Sequence, residues 1–172
     1  EGNVADRRFY SRYYPRRLKA EVLLDAVSQV TGVPSEFKDR EKGTRALQLP
    51  DSSIDSYFLS TFGRPERIIT CECERTDEPS VTQVLHLYNG DTLNQKLQSK
   101  EGRIEVLFAA NTPPADAVRK AYLESLSREP TELESKRLVA ILEAEASQEE
   151  KRLVLEDLYW SLLTSKEFIF NH

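Results

Sequence analysis

The sequence has no methionine, two cysteines, two histidines and one tryptophan among 172 residues. So few thiols and imidazoles leave no room for a multi-ligand zinc site or a disulfide scaffold. The longest wholly apolar run is Val106 to Ala110, far short of the roughly 20 residues that a helix needs to cross a bilayer. No segment has the character of a signal peptide. A chain that begins at Glu1 and lacks Met reads as a processed product or an excised fragment. Also missing are a G-x-S-x-G elbow, a P-loop, a dinucleotide fingerprint, a C-x-x-C-H heme site and an H-E-x-x-H pair. No cofactor and no metal are therefore expected. There is no repeat at a fixed period and no low-complexity tract.

What is present is 39% apolar and 31% charged, the composition of a globular domain rather than a disordered or membrane-embedded chain. The net charge of −5 argues against wholesale phosphate binding. Its distribution is uneven. Residues 7–19, R-R-F-Y-S-R-Y-Y-P-R-R-L-K, hold six basic and four aromatic residues and no acid. An arm with Arg7, Arg8, Tyr10, Tyr13, Tyr14, Arg16 and Arg17 suits tracking a single-stranded nucleic acid, with bases stacked on the rings. The acidic remainder favours the plainer reading, an arm that packs on the protein or on a neighbouring domain.

Periodicity predicts a mainly α, multi-helical fold. Leu18, Val22, Ala26 and Val30, with Leu23 and Val27, form one helical stripe stopped by Gly32 and Pro34. The charged stretch 35–45 reads as a surface loop. Short strands are expected near 45–49 and 67–74, and a short helix over 53–62 ending at Gly63. A helix follows Pro79 and stops at Asn89-Gly90, and a polar helix spans about 92–98. Residues 112–170 are expected to form an antiparallel three-helix subdomain. Thr112 is its first N-cap, and Thr131/Glu134 and Ser147/Glu150 are capping boxes. The whole reads as one domain, with an arm over 1–17, a helical and short-strand part over 18–100, and the three-helix part.

Six blocks occur in order: P-R-R-L-K-A-E-V-L-L-D-A (15–26), F-G-R-P-E-R (62–67), C-E-C-E-R (71–75), Q-V-L-H-L-Y-N-G (83–90), L-S-R-E-P-T-E-L-E (126–134) and W-S-L-L-T-S-K-E-F (160–168). Together the blocks resemble the C-terminal part of the planctomycete domain of unknown function 1553, in a C-E-C-E-R variant. The resemblance implies the last module of a large exported protein, in an envelope, periplasmic or secreted setting. Such modules often follow a second planctomycete domain and sometimes a cytochrome c-like one. It implies no reaction and transfers no catalytic residue.

Residue by residue, the chemistry is sparse. Glu72 and Glu74, two apart on an expected strand, would share a face with Cα atoms about 6.6 Å apart. Carboxyl pairs in that range serve glycoside hydrolysis, and like charges so close raise one pKa. Arg64, Arg67 and Arg75 nearby would read an anionic substrate. The plainer reading is a solvated face on which acids and arginines pair, because catalytic carboxylates usually come from separate elements. Cys71 and Cys73, on the opposite face, suit a poor disulfide geometry and read as buried small hydrophobes. His86 among leucines reads as a structural imidazole. The leading expectation is a non-catalytic helical module holding neighbouring domains or an extracellular polysaccharide. A carboxylate-dependent hydrolase of acidic polysaccharide is the alternative, and single-strand nucleic-acid binding through the arm is weaker still.

Overall fold

The first long helix, α1 (Ala20–Thr31), buries Ala20, Leu23, Leu24, Val27 and Val30 and ends on Gly32 at φ 72°. A side chain is strained in that left-handed geometry, so glycine terminates the helix as the sequence predicts. Leu18 lies outside the helix, and the buried face runs through Ala20 and Leu24 rather than Val22 and Ala26, which are half-buried. These coordinates come from a computed structural model, which describes residues 15–50, 54–65 and 80–171.

The remaining elements, in chain order, are β1 (Arg16–Arg17, ahead of α1), α2 (Tyr57–Thr61), α3 (Val81–Asn89), α4 (Asp91–Leu97) and α5 (Arg103–Ala109). Then come α6 (Pro114–Leu126), α7 (Glu132–Ala144), α8 (Gln148–Leu163), α9 (Lys166–Ile169) and β2 (Phe170–Asn171). The fold is mainly α, with one two-stranded antiparallel sheet that pairs Arg16 with Asn171 and Arg17 with Phe170. Leu18 N donates to Ile169 O at 2.9 Å and extends that pairing. The sheet thus joins two segments at opposite ends of the sequence.

The expected strand over 45–49 is instead a 3₁₀ turn, Ala46–Gln48. Its cause is Asp25, a buried carboxylate on α1 that accepts from Ala46 N at 2.7 Å and Leu47 N at 3.1 Å. A carboxylate on the first amides of a turn does what an N-cap does, and the amides it takes are lost to any strand partner. The expected strand over 67–74 lies outside the described residues. Phe37 is buried and anchors the loop that reads as wholly charged. The helix expected over 53–62 begins only at Tyr57, where Ser56 Oγ accepts from Leu59 N.

Local caps account for the C-terminal helices. Thr131 with Glu134 and Ser147 with Glu150 form the predicted capping boxes at the starts of α7 and α8. Thr112 is not a cap: Pro113 holds the cap position in extended backbone and α6 opens at Pro114, where a missing N–H costs nothing. Helices α6, α7 and α8 pack on one another through connections too short for anything but reversal. Helix α8 also packs on α4, α5 and α9. It carries two of the most deeply buried side chains, Tyr159 and Leu163.

At the α6–α7 corner Arg128 donates to Glu134 and Glu167 and lies 5.1 Å over the Tyr122 ring. The Arg128 guanidinium and the Thr131 amide hold the Glu134 carboxyl down to about 2, from 4.5. A depressed folded pKa means that the stabilisation is complete above pH 4.5 and lost as pH falls towards 2. The groups reach solvent, so the contribution is about 1 kcal/mol. Urea titrations between pH 5 and 2 are expected to show this loss in the parent and a flatter profile in Arg128→Ala. Equal slopes would remove the clamp from the account.

Candidate functional site

Of the sequence-derived candidates, Glu72, Glu74, Arg67, Arg75, Cys71, Cys73, Arg7, Arg8, Tyr10, Tyr13 and Tyr14 lie outside the described residues. The other three, Arg64, Arg17 and Arg16, line neither of the two pockets described below. The Arg64 side chain is only 9% exposed, with its Nε 3.7 Å from Glu21 of α1 and its Nη2 donating to Leu49 O. Arg17 donates to Phe62 O at 3.1 Å, with its guanidinium 5.3 Å above the Phe62 ring. Arg17 is therefore docked on the helical core, whereas the arm's four aromatic residues lie outside the described residues. Arg16 extends into the sheet with its backbone N–H donating to Asn171 Oδ1.

His86, on α3, stands in an aromatic cage. Its ring contacts those of Tyr57, Phe58 and Phe62 edge-on at 5.1 to 6.0 Å, and its Nε2 lies 3.2 Å from Thr92 Oγ1. Burial pushes its pKa down, against the opposing pull of Asp91. With its ring edges occupied, His86 is a packing residue that ties α2 to the α3–α4 junction.

The group that sequence reasoning missed is Lys96. On α4 it shares a face with Leu93 and Leu97, three and one residues away, and is buried with them, at 7% exposure. Its Nζ donates to Val33 O at 2.7 Å, just past the end of α1. A cation beside terminal helix carbonyls is favourably placed. Among the described residues that carbonyl is its one hydrogen-bond partner, although an ammonium has three donors. Desolvation holds the Lys96 pKa down to about 8, from 10.5, despite the opposing fields of Asp25 and Glu36. The available sequence signal was positional: i, i+3 and i+4 spacing puts 93, 96 and 97 on one face.

Lys96 and Val33 both line a pocket of about 420 Å³ between the end of α1, the loop that follows it, α2 and α4. Glu36, Tyr57, Thr92 and Gln95 are also in its wall. A larger groove of about 620 Å³ lies between α5, α6, α7 and α8. It has two cations, Lys151 and Arg152, of which Arg152 is already bonded to Glu105, Glu156 and Gln98 O. What sets the smaller pocket apart is that its cation, Lys96, is a largely buried residue with donors to spare. Among the described residues there is no cluster of three or more His, Cys, Asp or Glu able to hold a metal ion.

A second feature is a surface. Val81, Val84, Leu85 and Tyr88 on α3 follow i, i+3, i+4, i+7 spacing, yet they are 46–76% exposed. Such a stripe ordinarily faces a core. Helix α3 carries no Asp, Glu, Lys or Arg. Tyr88 meets the Trp160 ring edge-on at 5.3 Å, which fixes one margin of the stripe. Among the described residues no helix is long and apolar enough to cross a membrane.

Comparison with known proteins matches residues 3–142 to a family model described as PSD1, a protein of unknown function (DUF1553). No curated protein and no solved structure matches. The matched span ends within α7, whereas the packing continues through α8 and α9.

Proposed function

The chain belongs to the DUF1553 family of unknown function, and from that premise we propose that it is a non-catalytic helical module of a large exported, planctomycete-type protein. It holds an adjoining domain of the same polypeptide against the exposed stripe of α3. The observation that carries this reading is the stripe itself: four large apolar side chains at core spacing that the described residues leave half-exposed or more. An uncharged helix face suits an apolar partner surface and offers nothing to a phosphate backbone or a metal. The exported setting rests on the family resemblance alone.

The test is binding of this chain to the upstream part of its parent polypeptide, measured by titration calorimetry. Val84→Asp with Leu85→Asp is expected to weaken binding at least a hundredfold, because two desolvated carboxylates would face an apolar partner. Thermal stability is expected to stay close to that of the parent, since both positions are half-exposed or more. Unchanged affinity would sink the docking face. Turnover of any glycan by the intact chain would overturn the non-catalytic reading.

A further inference from the structure

The Lys96 pocket is independent of the α3 stripe and has a chemistry of its own. Its wall includes Lys96, a largely buried residue whose ammonium has one hydrogen-bond partner among the described residues. The nearby carboxylate on α1, Asp25, is already bonded to two backbone amides and lies 3.5 Å from Arg45. It adds a field to Lys96 but is not its hydrogen-bond partner. A buried ammonium with two donors left over favours an anionic oxygen ligand. The rest of the wall is suited to hydroxyl groups: the Glu36 carboxylate and the Gln95 amide are both exposed at the rim. The Tyr57 ring, 64% exposed, is an aromatic surface at the same opening.

We propose that this pocket binds a hydroxylated carboxylate, specifically a uronate residue of an acidic glycan. The carboxylate takes the two remaining Lys96 donors, the sugar hydroxyls take Glu36 and Gln95, and one face of the ring lies against Tyr57. The volume of about 420 Å³ accommodates one or two sugar rings. The groups around Lys96 define its pH response: Asp25 on α1, Glu36 on the following loop, and Arg45 on the 3₁₀ turn, paired with Asp25. His86 stands behind Thr92. With Lys96 titrating near 8, the ammonium form is depleted at high pH, and affinity is expected to fall about thirtyfold between pH 7 and 9.5.

Calorimetric titration of the full chain with digalacturonate, galactobiose and free gluconate, at pH 7 and 9.5 and physiological salt, tests this. Digalacturonate is expected to bind at pH 7, with neutral galactobiose at least tenfold weaker and the stated loss at pH 9.5. Lys96→Met is expected to abolish binding. Tyr57→Ala, at a position 64% exposed whose ring also meets His86, is expected to weaken it about tenfold while thermal unfolding shows the variant folded. No binding of digalacturonate, equal binding of galactobiose, or indifference to Tyr57→Ala would each overturn the proposal. Gluconate binding as tightly as digalacturonate would overturn the glycan as its source. None of these outcomes bears on the α3 face, which the aspartate double variant tests separately.

Discussion

Replacing Tyr159 with alanine is expected to cost about 4 kcal/mol, the largest effect of any single change considered for this chain. Tyr159 is fully buried on α8, the helix that meets α4, α5, α6, α7 and α9. It packs beside Thr31, Leu97 and Ile104, so truncation opens a cavity between α1, α4 and α5. The phenol O–H donates to Glu124 Oε2 at 3.2 Å, and Arg103 Nε approaches the same oxygen at 3.3 Å. Burial and the Glu124 charge push the phenol pKa upwards, so it remains a neutral donor throughout the physiological range. Tyr159→Phe separates the two contributions. It keeps the ring, leaves Glu124 its arginine and is expected to cost about 1 kcal/mol. Urea denaturation of both variants measures the difference. An alanine variant within 1 kcal/mol of the parent would mean that α8 is not the centre of the packing.

Asp25→Ala is expected to destabilise by about 3 kcal/mol. Ala46 is buried, so its N–H has no water to replace the lost carboxylate. The exposed Leu47 recovers a partner from solvent, and the mostly exposed Arg45 loses little. Asp25→Asn keeps one amide oxygen for Ala46 N and is expected to lose less than half as much. A second readout comes from Lys96. Asp25 opposes the desolvation that lowers the Lys96 pKa, so its removal is expected to move that pKa below about 8. NMR titration of the lysine side chain follows this directly. An upward shift would contradict the placement of the two groups.

The parts of this fold legible in the sequence are those whose causes are local. The capping boxes Thr131/Glu134 and Ser147/Glu150 bond within four residues. The Gly32 stop needs only a left-handed φ. Helices α7 and α8 are therefore readable from their first residues. Helix α5 was not, because I-E-V-L-F-A sits within a short apolar run with no cap to mark it. Its Ile104 and Leu107 are apolar in either a strand or a helix. At the junction before α5, Gly102 lies where an added Cβ would be 3.2–3.3 Å from carbonyls of Thr31, Lys96 and Ser99. Two of these carbonyls belong to the end of α4 and the turn after it, and the third comes from α1, an approach that leaves no periodic trace.

The candidate site divides the same way. Six ordered blocks identified the family. Nothing in L-N-Q-K-L-Q-S-K distinguishes Lys96 from Lys100 except its place beside Leu93 and Leu97 on the helix face. It took the end of α1, packed across α4, to bury that ammonium and give it Val33 O. The same contrast holds at 46–48, where a carboxylate 21 residues upstream selects a turn over a strand. The α7 and α8 capping boxes and the Gly32 stop followed from the sequence by itself, because neighbouring residues supply their hydrogen bonds. The burial of Lys96, the exposure of the α3 stripe and the pairing of residues 16–18 with 169–171 were decided only by tertiary structure. In each, the deciding partner is distant in sequence, and desolvation depends on what the whole chain brings together.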